Sequence, residues 1–586
     1  MKNVTNNLAL SMTIRPALFI SAVMLASATA CTSTSDDDAG GSGAGGGKAD
    51  DPNGSELRFL DQGWSDEDRA WMYRTSEGSR IVPTQWLAAL RDQRGTRFTS
   101  TLSQYGFIPD PASDPSGLGL PVGFATDGGW TGVTCTACHS SQLKVGSVAV
   151  RIDGGTMQAD FGRFQLGLLR EMKATFDDPR RFGDFAREVL GDNLEEFAED
   201  ELSADVRVWL EEMEFRLSFA NGAPVPGPGR VDGVGQATNE TLCIDLNDPG
   251  ACDTFNAPTQ PGFLWGVGEL AWVQSNGSVH SSIGRNVGQA MGTYGGAAVG
   301  EDLFGFGGVS TNIPMEDLVY LDEGFTALKA PSWQDPAFED LLPRLDDTRV
   351  SRGRQIYQAT CAGCHASRTD GPFTATNQYD RRFVEVPVVP LAEIGTDPGF
   401  VVDLLDETVL PHPDIVAGLT SKFEEKFGST DLDTPVSTAA LRALLIVAAI
   451  QDYAVSNPLT VASLGLSRFS GYRDGATERS VTEVRGYRAQ PLEGVAFTGP
   501  YLHNGSVPSL AALLRPSSQR PAEFLTGGRT FDPVAVGFTT KSDDVNAYQF
   551  DTRKPGNSNR GHEGPRYGTD LPDADKQALL EYLRSL

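Results

Sequence analysis

Two cysteines, two intervening residues and an immediately following histidine occur twice in the chain, as Cys135-Thr136-Ala137-Cys138-His139 and Cys361-Ala362-Gly363-Cys364-His365. At this spacing two thiols can form thioethers to the vinyl groups of one haem. The histidine then lies beneath the iron and supplies its proximal nitrogen. The alternatives are a redox disulfide or half of a zinc site, but zinc would need more nearby Cys or His than either motif offers. The pair of motifs therefore predicts two covalently bound haem c groups. Cys135, Cys138, Cys361 and Cys364 hold the cofactors, and His139 and His365 are metal ligands.

Covalent haem attachment sets the terms for the remaining cysteines. Lys2 and Arg15 precede an apolar run, Pro16 to Ala30, that ends in small residues, the pattern of an export signal over residues 1–30. Ala28-Thr29-Ala30-Cys31 resembles a bacterial lipoprotein cleavage box, although Leu is usual where Ala28 stands. Cys31 is then a lipidated N-terminus; ordinary secretory cleavage nearby is the alternative. Residues 31–55 are rich in Ser, Asp and Gly and read as a flexible tether. No later run approaches the roughly 20 continuous apolar residues of a membrane span. The expected location is the periplasm or cell surface, with the outer membrane reached only through the lipid. Cys243 and Cys252 are left over, and an oxidising compartment makes a local disulfide their default state. The loop they close carries Asp245, Asn247 and Asp248, which read as a solvated turn more readily than as a calcium site. A net charge of −29, from 48 basic and 77 acidic residues, argues against nucleic acid or anionic lipid as partners.

Each motif sits in its own expected module, 56–335 and 336–586. In the first, Asp66–Tyr73, Val82–Leu90, Phe161–Phe176, Phe182–Phe197 and Glu201–Phe215 carry apolar residues at helical spacing, so this module reads as mainly helical. Residues 221–308 are rich in Gly, Asn and Pro, and so long an irregular segment reads as a functional loop. Its Phe263, Trp265 and Trp272 are packing residues or the wall of an apolar pocket, and His280 has nothing to mark it as a ligand. In the second module a helix over Arg349–Thr360 delivers the motif, Thr438–Tyr453 is apolar enough to be buried, and Asp570–Leu586 is an amphipathic closing helix. The last methionine is Met315, so a His/Met haem in this module would need a ligand from the other. That favours a bis-His haem, with His503 and His562 as candidates; His412, between two prolines, suggests a stiff loop.

Tyr487-Arg488-Ala489-Gln490-Pro491-Leu492-Glu493-Gly494-Val495, then Thr498-Gly499-Pro500-Tyr501-Leu502-His503-Asn504-Gly505-Ser506-Val507-Pro508, resembles a signature of the cytochrome c peroxidase/MauG superfamily of di-haem proteins. With Gly556-Asn557-Ser558-Asn559-Arg560-Gly561-His562-Glu563, the chain looks most similar to the rubber oxygenase A branch. The resemblance implies a mainly α fold with two cytochrome-c-like haem domains and extensive irregular loops. It implies an open first haem, with His139 proximal, that activates dioxygen to cleave an unsaturated hydrocarbon. It also implies a bis-His second haem for electron transfer, with His562 opposite His365, and makes His503 a catalytic-site residue that lies between the haems or supports their ligands from behind. Departures from the rubber enzymes are an apparently shorter chain and the lipoprotein-like start. Two alternatives remain beside the oxygenase: a hydrogen-peroxide reductase, and a non-catalytic electron-transfer cytochrome. The physiological redox partner protein is not legible in the sequence.

Overall fold

The computed structural model describes residues 48–50, 56–111, 114–191, 197–220, 226–301, 307–473 and 485–586. The export signal, Cys31 and most of the expected tether lie outside the described residues. Of the tether, Lys48–Asp50 is described and pairs antiparallel with Glu56–Arg58.

Where the spacing of apolar residues predicts helices, helices form. Ser65 opens the first, Asp66–Arg74, by accepting from the Asp68 amide while the Asp68 carboxylate accepts from the Ser65 amide. The others are Thr84–Ala89, Phe161–Asp177, Pro179–Leu190 and Ala198–Ser218 on the first-motif side. On the second side they are Asp347–Thr360, Thr438–Ser456 and Asp573–Arg584. Among the described residues Thr438–Ser456 is the helix long and apolar enough to cross a membrane. One face of it packs into the core through Leu441, Leu444, Leu445, Ala448 and Ala449, while Val447 and Val455 are exposed.

The expectation of a mainly α fold with two cytochrome-c-like domains is not met. Helix accounts for 43% of the chain and strand for 14% in several small sheets, so the fold is mixed α and β. The strands bracket the first motif. Phe124–Asp127 and Trp130–Val133 form a hairpin whose two-residue turn, Gly128-Gly129, has both φ angles positive. Ser140–Val145 and Val148–Asp153 form a second hairpin around Gly146-Ser147. Two-residue Gly-containing turns match the right-handed twist of strands, which makes these loops strong hairpin formers. The second hairpin sits in a six-stranded sheet ordered Lys48–Asp50, Glu56–Phe59, Val148–Asp153, Ser140–Val145, Thr530–Asp532, Gly537–Thr539. That sheet joins chain from both sides of residue 336, with the Lys144 amide donating to the Arg529 carbonyl over 2.7 Å.

The core is likewise shared. Trp265, Trp272 and Met315 belong to the same apolar cluster as Phe497, Leu579 and Leu583. A second cluster lies under the first motif, where Phe107, Phe124 and Phe164 meet edge to face at 4.8–5.6 Å. The methionines of the first module (Met72, Met157, Met172, Met213, Met291 and Met315) are all core residues, none more than 2% exposed. Cys243 and Cys252 form a disulfide. In the loop they close, Asp245 accepts from the Ala297 amide and Asp248 caps the turn at Gly250.

Candidate functional site

Both motifs fold into the same local shape. A short turn carries the two cysteines, and the histidine amide donates back to the first cysteine's carbonyl, over 3.0 Å in His139 and 2.9 Å in His365. This turn gathers two thiols and an imidazole on one side of the chain. In both motifs the Nδ1 of the histidine meets a backbone carbonyl from a distant segment: Gly262 at 2.7 Å for His139, Gln490 at 2.8 Å for His365. When Nδ1–H donates, Nε2 is left as the free lone pair, the tautomer a metal-binding histidine needs. Burial keeps both rings neutral, pushing His139 down to about 4 and His365 below its ordinary value.

The thiols are unlike those of a redox pair. Burial pushes Cys135 well above its ordinary value, Cys138 up to about 12 and Cys361 up to about 11. Reactive dithiols have their thiolates stabilised instead. The Cys135 thiol donates to Glu77 over 2.9 Å, and Thr293 donates to the other Glu77 oxygen over 2.7 Å. Burial raises the Glu77 carboxyl above its usual range.

A cavity of about 710 Å³ opens over the second motif. Cys361, Cys364 and His365 line one side, His562 and His503 other parts, and Leu510, Leu514 and Leu579 contribute apolar wall. Its size lies within the roughly 300–1,000 Å³ typical of cofactor pockets. The rings of His365 and His562 stand 6.3 Å apart, centre to centre. A metal between two imidazoles, with bonds of about 2.0–2.1 Å, separates the ring centres by roughly 6 Å. The residues present thus fit a covalently held haem with two axial imidazoles.

His562 is placed there under constraint. Its φ of 48° lies in the left-handed region, uncommon for a residue with a β-carbon. Arg520 holds the loop by donating to the carbonyls of Asn559, Gly561 and His562. Gly561 runs so close to Gly395 and Thr396 that a β-carbon there would overlap their backbone. Burial, then the His365 ring, push His562 down to about 3. Arg520 escapes the sequence reading, and Gly561 enters it only as a member of the 556–563 run. The Asn-Arg-Gly-His run offers a cue, because glycine before a strained residue marks a close approach.

The other histidines are committed elsewhere. His503 stacks on Tyr487 with ring centres 3.9 Å apart, and burial pushes it down to about 3. Tyr487 in turn donates to the Asp397 carbonyl over 2.6 Å. His412 caps the Pro413–Gly418 helix, and exposed His280 packs on Trp272 at 5.2 Å. Trp265 is buried, stacks on Phe263 at 4.5 Å and donates to the Glu493 carbonyl. Among the described residues no group of three or more His, Cys, Asp or Glu is arranged to hold a metal ion. A haem iron requires only one or two protein ligands, since the porphyrin fills the rest.

The segment 260–263 ties the two sites together. The Gly262 carbonyl meets His139, Gly262 and Phe263 line the cavity of the second motif, and the Gln260 amide donates to the His503 carbonyl.

The chain is 30% identical to the uncharacterized protein y4iJ of Sinorhizobium fredii over 601 aligned positions, which cover 92% of this chain and 94% of that one. It belongs to the y4iJ family. A second uncharacterized protein of that organism, y4iM, is 33% identical over 158 positions, 23% of this chain and 35% of y4iM. Within this y4iJ-family chain, residues 486–525 match the RoxA-like, cytochrome c-like family. The matched stretch contains Tyr487, Arg488, Gln490 and His503, which line the cavity beside His365. A RoxA-like cytochrome c-like domain is consistent with a redox protein of c type.

Proposed function

We propose that this protein is an exported di-haem c-type oxidoreductase of the rubber oxygenase A-like branch of the cytochrome c peroxidase/MauG superfamily. Its reactive haem is held at Cys135, Cys138 and His139, and its electron-transfer haem at Cys361, Cys364, His365 and His562. The observation that carries this reading is an asymmetry between the two histidines. His365 has an imidazole facing it at 6.3 Å, whereas His280 packs on Trp272, His503 stacks on Tyr487 and His412 caps a helix. Bound haem would supply one-electron redox chemistry at both sites and, at the first, a coordination position for dioxygen or peroxide. The protein's own part is to fix the two proximal tautomers through the Gly262 and Gln490 carbonyls. Phe263 and Trp265 stack beside the cavity, and His503 is held against Tyr487. The substrate class is an unsaturated hydrocarbon cleaved with dioxygen, supported by the RoxA-like stretch.

Glu77 favours a second reading, hydrogen-peroxide reduction. A buried carboxyl held toward its protonated form beside Cys135 is a proton source of the kind that reaction consumes. The test is to supply the purified holoprotein with dioxygen and a liquid polyunsaturated hydrocarbon, and separately with peroxide and a reduced electron donor. Dioxygen uptake with formation of carbonyl products is expected. Turnover of peroxide alone replaces the oxygenase by the reductase, and inertness to both leaves an electron carrier. Export and lipid anchoring at Cys31 belong to the same proposal. A Cys31→Ser variant that still fractionates with membranes would remove the anchor from it.

A further inference from the structure

Three guanidinium groups are buried together between the two motif sites. Arg473, 2% exposed, donates to the carbonyls of Val267 and Leu270 and to the Ser282 hydroxyl. Arg285 lies one turn beyond Ser282 on the Ser282–Gly292 helix and is 6% exposed. It is bound to Asn286 and to Asp322, and its Nη1 is buried without a partner. Arg488 donates to the Trp272 carbonyl, two residues along from Leu270, and to the Gln490 side chain over 2.7 Å. Its Nε is likewise buried and unpartnered.

Asp322 accepts from Arg285 and its charge also reaches Arg473. Burying cations without matching anions is costly, and the planar guanidinium fork is suited to pairing with a carboxylate in such a place. The effect is visible in the arginines themselves. Burial, with repulsion from Arg285, lowers Arg473 to about 10, and burial with repulsion from Arg285 and Arg473 lowers Arg488 to about 10.

The cluster reaches both candidate haem sites. Arg488 lines the cavity that contains Cys361, Cys364 and His365, and Gln490, which it binds, offers its backbone carbonyl to His365. The helix that carries Arg285 ends at Thr293, whose hydroxyl donates to Glu77, the carboxyl that also accepts from the Cys135 thiol. A haem carries two carboxylates on one edge, so two haems held at these motifs would bring four acidic groups.

We infer that Arg285 and Arg488, backed by Arg473, are an anion-binding bridge that takes the propionate carboxylates of the two haems, Arg488 serving the His365 haem and Arg285 the His139 haem. The inference rests on the di-haem reading. Bound carboxylates would supply the partners that Arg285 Nη1 and Arg488 Nε lack. The paired positive charge would also stabilise each reduced iron, making these arginines positioning residues that set potential.

The experiment is an optical redox titration of the holoprotein, with haem counted first as pyridine haemochrome. Arg488→Gln should lower the midpoint of the low-spin haem and Arg285→Gln that of the other, while Arg488→Lys restores most of the loss. Unchanged midpoints at full haem content overturn the inference. A protein without haem overturns the di-haem reading instead. Should the variants fail to fold, the wild type decides, because tethered carboxylates already occupy the cluster. Its midpoints should ignore added phosphate at constant ionic strength. A response to phosphate means the cluster holds a free oxyanion, and the propionate assignment falls.

Discussion

Gly353 lies beneath Ala578 so closely that a β-carbon at 353 would overlap the Ala578 carbonyl. This contact sets the crossing of the Asp347–Thr360 and Asp573–Arg584 helices, and one turn further Tyr357 meets Tyr582 at 5.2 Å. Tyr357 also donates to the His365 carbonyl over 3.0 Å, so the crossing is coupled to the second motif. Gly353→Ala should therefore cost about 1–3 kcal/mol through overpacking, despite alanine's better helix propensity. Urea denaturation measures it, and an unchanged or raised midpoint contradicts the close crossing.

The assignment of the ligand opposite His365 separates two histidines that line one cavity. His562 faces His365, whereas His503 is stacked flat on Tyr487. His562→Ala should convert the low-spin bis-imidazole signal to high spin in the electron paramagnetic resonance spectrum. His503→Ala should leave that signal in place. The reverse pattern exchanges the two roles. Arg520→Ala, which frees the loop carrying His562, should broaden or partly lose the same signal without touching either histidine.

The two Cys-x-x-Cys-His turns, the larger helices and the Cys243–Cys252 pairing were legible because each is a local pattern: a fixed cysteine spacing, a 3.6-residue apolar period, two leftover thiols 9 residues apart. The strands around the first motif were also locally encoded. Gly128-Gly129 and Gly146-Ser147 sit between alternating runs, but the density of glycine and proline nearby makes the region read as loop. What no local pattern could reveal is pairing at long range. The contacts of Lys144 with Arg529, His139 with Gly262 and His365 with Gln490 join segments brought together only by the folded core. Arg285, Arg473 and Arg488 stand far apart in sequence for the same reason, and arginine on a helix or loop is ordinarily a solvated residue.

Asp403 should make stability fall as pH rises. It is 4% exposed, and burial followed by repulsion from Asp253 and Asp232 raises its carboxyl to about 8. In the unfolded chain the same group ionises near 3.9. Between about pH 4 and pH 8 the native state therefore holds a proton that the unfolded state has released, and stability declines with pH across that window. Asp253, raised by burial to about 6, adds to the decline over its lower part. Asp403→Asn has no proton to lose, so its urea midpoint should drop less between pH 5 and pH 8 than that of wild type. Equal drops in the two proteins would place the titrating group elsewhere.

The first site should be the one that admits a small ligand. His139 has its Nδ1 committed to Gly262, and the ring is held neutral by burial, so it is prepared to bind metal from one side. Among the described residues no imidazole is seen to face it as His562 faces His365. The first-module methionines are in the core, His280 packs on Trp272, His412 caps a helix and His503 lies on Tyr487. An iron with a vacant position binds carbon monoxide when reduced, whereas one capped by two imidazoles does not. The reduced holoprotein should thus take up one equivalent of carbon monoxide per two haems, with the low-spin bis-imidazole spectrum unchanged. His139→Ala should abolish or grossly weaken that uptake while leaving the second haem's spectrum intact. Its counterpart, His365→Ala, should preserve carbon monoxide binding at the first haem and slow only its re-reduction. A reduced protein whose spectrum ignores carbon monoxide has both irons capped, and the electron-carrier reading then replaces the enzyme.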